Sequence, residues 1–147
     1  MTIDPYLHPG LPAPAPARDG LDRQYWEGLQ QEQLLIQRCN NCERYQWGPE
    51  WICHRCRSFD LGFDRVDAHG VIFSHQRVWH PVHPALSDQG PYIVVLVELP
   101  HADGIRLVGN LIGDPTQPLN IGDPVDAVFE HHNQSDQPFT LLHWTVK

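Results

Sequence analysis

Beyond residue 66 the chain alternates short apolar runs with Gly- and Pro-rich breaks. Gly70 opens Val71–Trp79, which partly alternates between apolar and polar positions. Tyr92–Leu99 is almost continuously apolar and predicts a central strand. Arg106–Ile112 follows, then Val125–Glu130 after the turn Gly122-Asp123-Pro124, and finally Phe139–Thr145. Five short strands fit a small barrel of the OB type better than a sandwich, which uses about seven. Gly109 lies inside the third of these patterns and is expected to mark the bulge or bend that closes the barrel.

The first part of the chain reads differently. Pro5, Pro9, Pro12, Pro14 and Pro16 alternate with small residues, which prevents helix and offers little to bury. Residues 1–18 are expected to form a flexible Pro/Ala-rich arm, able to lie along a partner. Residues 19–37 predict a helix and a lead-in strand. Asp19 or Asp22 can cap the helix, and Leu21, Tyr25 and Leu29 recur at four-residue spacing on one face. Tyr25 and Trp26 make a bulky apolar patch on this short helix, which must dock on its own domain or on another chain.

Residues 38–65 hold all four cysteines, as Cys39-Asn40-Asn41-Cys42 and Cys53-His54-Arg55-Cys56, with ten residues between the pairs. A C-x2-C turn aims two sulfurs at one centre, and two such turns complete a tetrahedron of thiolates, the preference of zinc. Four thiolates close the coordination sphere, so the zinc expected here is structural. Rubredoxin-type iron uses the same spacing, and the spacing alone leaves zinc against iron open. Disulfides and a redox C-x-x-C fit less well: there is no basic leader followed by an apolar stretch, and no βαβ context. His54, inside the second pair, is expected to point outward. Arg38, Arg44, Arg55, Arg57 and Arg65 give the segment a modest basic face, readable as a phosphate contact or as a solvated surface.

Charge limits the partners. Ten basic residues against 18 acidic give −8 at neutral pH. Nucleic-acid binding rests on cations meeting phosphates, so this balance argues against it. The ten histidines can bring the net charge near zero in mild acid, where solubility is expected to fall. No run of apolar residues is long enough to span a membrane. A cytoplasmic location is the expectation.

No catalytic motif emerges. His80-Pro81-Val82-His83-Pro84 offers two histidines three apart, but as a Pro-rich loop it is expected to hold no metal, and Trp79 beside it can line a ligand mouth or a core. His131-His132 at a strand end reads as solvent-facing.

The order of these elements resembles a known family. Tyr25-Trp26 precedes the paired C-x2-C, and then come Gly70-x-x-x-Ser74, Pro91-Tyr92-x-x-x-Leu96-Val97-Glu98-Leu99 and Ile121-Gly122-Asp123-Pro124-Val125. Residues 20–146 are similar to the DUF35 family, rubredoxin-like zinc ribbons fused to an OB-fold. The resemblance implies a mainly β fold: an N-terminal helix, a zinc ribbon over 38–65 and a five-stranded OB-fold barrel over 66–147. Family members have Gly after the second cysteine and Pro after the third, where this chain has Glu43 and His54; Glu43 adopts a positive φ less cheaply than Gly.

The resemblance further implies a non-catalytic accessory subunit of a thiolase-superfamily enzyme. The complex would bind an acyl-CoA thioester and cleave or form a carbon–carbon bond beside it, by retro-aldol or retro-Claisen chemistry, as in steroid or aromatic side-chain degradation. An α2β2 heterotetramer is the expected assembly. Cys39, Cys42, Cys53 and Cys56 are the expected zinc ligands, and Tyr25, Trp26, Trp79, His80 and His83 the expected partner contacts. The alternative from another class is a stand-alone ribbon-plus-barrel module for nucleic acid or regulation, which would need a positive groove; after residue 66 there are only Arg77, Arg106 and Lys147.

Overall fold

The computed structural model describes residues 5–147; the first four residues of the expected arm lie outside the described residues. Helix α1 spans Arg23–Gln30, and strands β1 Leu34–Cys39, β2 Tyr45–Gln46 and β3 Leu61–Val66 follow. They form a three-stranded antiparallel sheet in the order β2-β1-β3, with Leu34 opposite Val66 and Cys39 opposite Leu61. The remaining strands are β4 His69–Val78, β5 Tyr92–Leu99, β6 Ile105–Leu111, β7 Pro124–His132 and β8 Phe139–Val146. These close into a barrel in the order β4-β5-β6-β8-β7. The fold is mainly β, with one helix, a ribbon-like cysteine cluster and a five-stranded OB-like barrel.

Strand β5 is central, paired with β4 on one side and β6 on the other. Its inward positions Ile93, Val95, Val97 and Leu99 are buried, while the outward ones are half-buried. Barrel closure comes from two contacts distant in sequence. One is the parallel β6–β8 pairing, Asn110 with His143 and Leu111 with Trp144. The other is β4–β7, where Gly70 lies opposite Val125. A side chain at Gly70 would come within 2.5 Å of the Glu98 carbonyl oxygen, so this crossing requires Gly.

Gly109 plays a different part from the one expected of it. The β5–β6 register runs unbroken past it, and the irregularity lies in β4, between Ile72 and Ser74. A Cβ at Gly109 would meet the Trp144 indole at 2.9 Å. The position makes room for the largest buried side chain of the core rather than bending the strand.

The core is continuous from barrel to helix. Trp144, Ile72, Leu107, Leu111 and Val125 fill the barrel, and Leu29, Leu34 and Ile36 extend the same cluster under α1 and β1. Each such side chain contributes about 1.5–3 kcal/mol when fully buried. Asp22 precedes α1 but makes no side-chain cap; its carboxylate instead accepts from Trp26 Nε1 at 2.8 Å. Ribbon and barrel are linked at Asp103, in the β5–β6 turn, which accepts from Arg44 Nη1 at 2.8 Å and from the Tyr45 N–H at 2.9 Å. The Tyr45 and Arg44 hydrogen bonds outweigh burial and hold the Asp103 carboxyl below its ordinary pKa.

Candidate functional site

The two cysteine turns have the same construction. Each turns back on itself through a backbone bond, Glu43 N–H to the Cys39 carbonyl and Arg57 N–H to the Cys53 carbonyl, both 2.9 Å. Within each turn the second cysteine's N–H faces the first sulfur at 3.5 Å. The residue after each second cysteine is left-handed, Glu43 at φ 61° and Arg57 at φ 62°. Glu43 thus occupies a conformation that costs a non-Gly residue about 1–2 kcal/mol.

Superimposed on that symmetry is a tetrahedron of sulfur. Cys39 Sγ lies 3.5 Å from Cys56 Sγ and Cys42 Sγ 3.6 Å from Cys53 Sγ, with all four sulfurs within 4.8 Å of one another. Thiolates at about 2.3 Å from a tetrahedral zinc stand about 3.8 Å apart, so the donor set fits. A disulfide needs about 2.05 Å, and all four cysteines are free. Asn41 Nδ2 donates toward Cys56 Sγ at 3.5 Å. That bond and a backbone N–H from Ser58 lower the Cys56 pKa, whereas at Cys42 the Arg44 N–H is outweighed by burial and the three neighbouring sulfurs, which raise it. His54 is exposed and outside the cluster, as expected.

Two glutamines brace the centre, and sequence reasoning missed them. Buried Gln46 donates to Gln37 Oε1 at 2.6 Å, and Gln37 exchanges bonds of 2.9 Å with the backbone of Glu50. They pin the loop between the cysteine pairs. The only available signal was a polar residue directly after the apolar run Leu34–Ile36. Of the five ribbon arginines, Arg38 is engaged by Asp64 and Arg44 by Asp103, both at 2.8 Å. This leaves less of the basic face for phosphate.

The expected contact residues separate into two groups. Tyr25 and Trp26 are half-buried in the chain's own packing, the Tyr25 ring 4.8 Å from that of Trp47. The helix has docked on its own domain. Burial, and then the nearby Asp22, push the Tyr25 pKa up. Trp79, His80 and His83 lie exposed, Trp79 by 57%. His83 Nδ1 accepts from the Ala85 N–H at 3.1 Å and so caps a short 3-10 turn. The two histidines join no metal-binding group among the described residues. Further exposed aromatics lie on the ribbon, Trp51 at 71% and Phe59 at 78%. Composition flagged neither, because nothing in a single sequence distinguishes them from core aromatics.

His132 departs from its expected place. It is half-buried, and its Nε2 lies 2.7 Å from Glu130 Oε1, with the Phe139 ring stacked on it at 4.5 Å. His131 is exposed as expected, bonded to Glu32 and Thr140.

Comparison with known proteins assigns the architecture. Residues 26–62 match the family model of the ChsH2 rubredoxin-like zinc ribbon domain, and residues 65–130 that of the ChsH2 C-terminal OB-fold domain. A solved chain described as "Ltp2-ChsH2(DUF35) aldolase" is 34% identical, with a TM-score of 0.73 over 91% of this chain and 98% of that one. The chain belongs to the ChsH2-type DUF35 family. A DUF35 protein of unknown function from Sulfolobus solfataricus shares the fold at 16% identity and a TM-score of 0.61, over 88% of this chain and 87% of that one. A curated relative from Thermomonospora curvata, "Probable enoyl-CoA hydratase alpha subunit", is 41% identical over 117 residues, 78% of this chain. This DUF35 chain spans about a third of that relative's length, 34%. No helix among the described residues is long and apolar enough to cross a membrane.

Proposed function

We propose that this chain is a non-catalytic accessory subunit of an acyl-CoA-processing complex. It binds a thiolase-like subunit and helps form that subunit's acyl-CoA site, in a complex that performs retro-aldol cleavage beside a CoA thioester. The observation that carries this reading is the 34% identity to the chain described as an Ltp2-ChsH2(DUF35) aldolase, matched over 98% of its length. The name of the hydratase relative is consistent with acyl-CoA chemistry at the coarser level.

In this reading Cys39, Cys42, Cys53 and Cys56 hold a structural zinc that shapes the ribbon. The exposed Trp51, Phe59 and Trp79, with His80 and His83 beside the last, form the surface offered to the partner. Exposed aromatics of this kind anchor protein interfaces once desolvated. Helix α1, with Tyr25 and Trp26, packs on β1 and β8 and leaves only the half-exposed part of those rings for a partner. The assembly is α2β2 and cytoplasmic.

The test is affinity capture of the tagged chain from its native cell, with the captured chains identified by mass and counted. A thiolase-superfamily chain at equal stoichiometry, in a complex that cleaves a β-hydroxyacyl-CoA, is the expected result. A Trp79→Ala variant should retain its metal and lose at least tenfold in affinity for the partner. Capture of single-stranded nucleic acid without a thiolase-like chain would replace this reading with that of a stand-alone binding module.

A further inference from the structure

The barrel carries a buried polar cluster that neither the metal centre nor the exposed aromatics use. Glu130 on β7 accepts from three donors: the Leu7 N–H at 3.0 Å, His132 Nε2 at 2.7 Å and His143 Nε2 at 2.6 Å. The carboxylate thus fixes the tautomer of His143, with the proton on Nε2 and the lone pair on Nδ1. Burial holds the His143 pKa below its ordinary value against the opposing pull of Glu130, so the neutral ring prevails. The side chain is 3% exposed, and Nδ1 has no partner among the described residues. Buried polar atoms are nearly always paired, so an orphan acceptor calls for a reason.

His143 lines a cleft of about 790 Å³ between the outer face of β5, β6 and β8 and the segment 5–11. The Tyr6 ring packs on the imidazole, centroids 5.0 Å apart. Leu11, Leu86, Tyr92, Val94 and Leu141 contribute apolar or aromatic walls. No Asp, Glu, Lys or Arg lines the cleft. The volume falls within the range of small-molecule sites, about 300–1,000 Å³. A charged ligand would be desolvated there with no carboxylate, lysine or arginine to meet it, His8 being the one other imidazole on the wall. A ligand without a polar group would leave Nδ1 unpaired.

We propose that this cleft binds an uncharged, largely apolar small molecule that donates one O–H or N–H to His143 Nδ1. Glu130 is the positioning residue, because it holds the imidazole in the accepting tautomer. Nδ1 is closed off from solvent, so the ligand reaches it by displacing the Tyr6 ring. The inference stands on the cleft alone and does not depend on which subunit the chain partners.

The test uses a matched pair of probes on the full, metal-loaded chain: 2-naphthol, and its methyl ether 2-methoxynaphthalene, which cannot donate. The expected result is saturable binding of 2-naphthol at least tenfold tighter than the ether, with an upfield move of the His143 Nδ1 nitrogen resonance. His143→Phe should equalise the two affinities. Because that change also strips a donor from Glu130, Val108→Trp is the second variant. Val108 is 74% exposed and lines the cleft, so a larger side chain there blocks it without entering the core. It should weaken both probes. Equal affinity for the two probes, no saturable binding of either, or unchanged 2-naphthol binding in Val108→Trp would overturn the proposal. So would an Nδ1 resonance that is already that of a hydrogen-bonded nitrogen, as from a resident water, and does not move.

Discussion

Ribbon and barrel reach order by different means. Between residues 38 and 65 only Cys39, Gln46 and Cys53 are buried. Two of the three are thiols, so the ribbon has almost no apolar core. The barrel buries four side chains on β5 alone, and Trp144 beneath them. One region gathers four thiols at a metal-binding centre in place of an apolar core, the other removes apolar area from water.

The largest effect should come from removing the metal. Structural zinc contributes about 10–16 kcal/mol in zinc-finger peptides, far beyond what three buried side chains supply. Chelation, or Cys39→Ser, is expected to unfold the ribbon and leave the barrel folded. Hydrogen exchange read residue by residue is the measurement: protection should vanish over 40–60 and persist in β5 and β8. Leu34 and Ile36, which belong to the shared core, should keep theirs. A chelated chain still protected at Cys53 would show that the ribbon has an adequate core of its own, and the contrast would collapse.

The same contrast explains what could be read in the sequence. The cysteine pairs were legible because metal geometry acts over a few residues, and spacing alone encodes it. The barrel strands were legible because alternation is local: Tyr92–Leu99 lies where its apolar run places it. What was hidden depends on contacts between distant segments. The parallel closure of β6 on β8 is one case, and the packing of Gly109 on Trp144 is another. His132 looked solvent-facing because the cluster it joins through Glu130 is completed by the Leu7 N–H, 123 positions away. No window along the chain contains that information. The docking of Tyr25 on its own domain was hidden for the same reason, since Trp47, which meets it, lies on the far side of the first cysteine pair.

Acid should sharpen the comparison. Burial raises the Glu130 pKa, but the hydrogen bonds from Leu7, His143 and His132 outweigh it and hold the carboxyl below its ordinary value. A carboxyl lowered in the folded state contributes stability above its unfolded pKa, and that stability is lost as pH falls through the folded value. His143 is also lowered, by burial first. Its unfolded form takes a proton first, so stability falls as pH drops below about 6.5, the unfolded value. Both signs agree. Denaturant unfolding of the chelated chain, followed by hydrogen-exchange protection in β5 and β8, should show a barrel that weakens steadily from pH 7 to pH 4. Glu130→Gln should cost about 1–3 kcal/mol at pH 7, because an amide oxygen and NH2 cannot serve three donors. It should also flatten the slope below pH 5. An unchanged slope would place the acid sensitivity elsewhere in the barrel.

The smallest effect lies in the ribbon and should have the opposite sign. Glu43 sits at φ 61°, where a side chain costs about 1–2 kcal/mol that glycine does not. Its carboxylate returns little: it reaches Arg38 Nη2 only at 3.9 Å and is 76% exposed. The useful contact at this residue is its carbonyl, which accepts from Arg38 Nε at 2.8 Å and survives any substitution. Glycine loosens the unfolded chain by about 0.5–1 kcal/mol, so the net gain from Glu43→Gly should be about 0.5–1 kcal/mol. Because ribbon folding and metal binding are one equilibrium, the gain should appear as a severalfold rise in zinc affinity. The barrel transition in the chelated chain should not move. A weaker metal site in Glu43→Gly would mean that the left-handed turn is held by something other than its own backbone preference, and a shifted barrel transition would mean that the two regions are more tightly coupled than the Asp103 link accounts for.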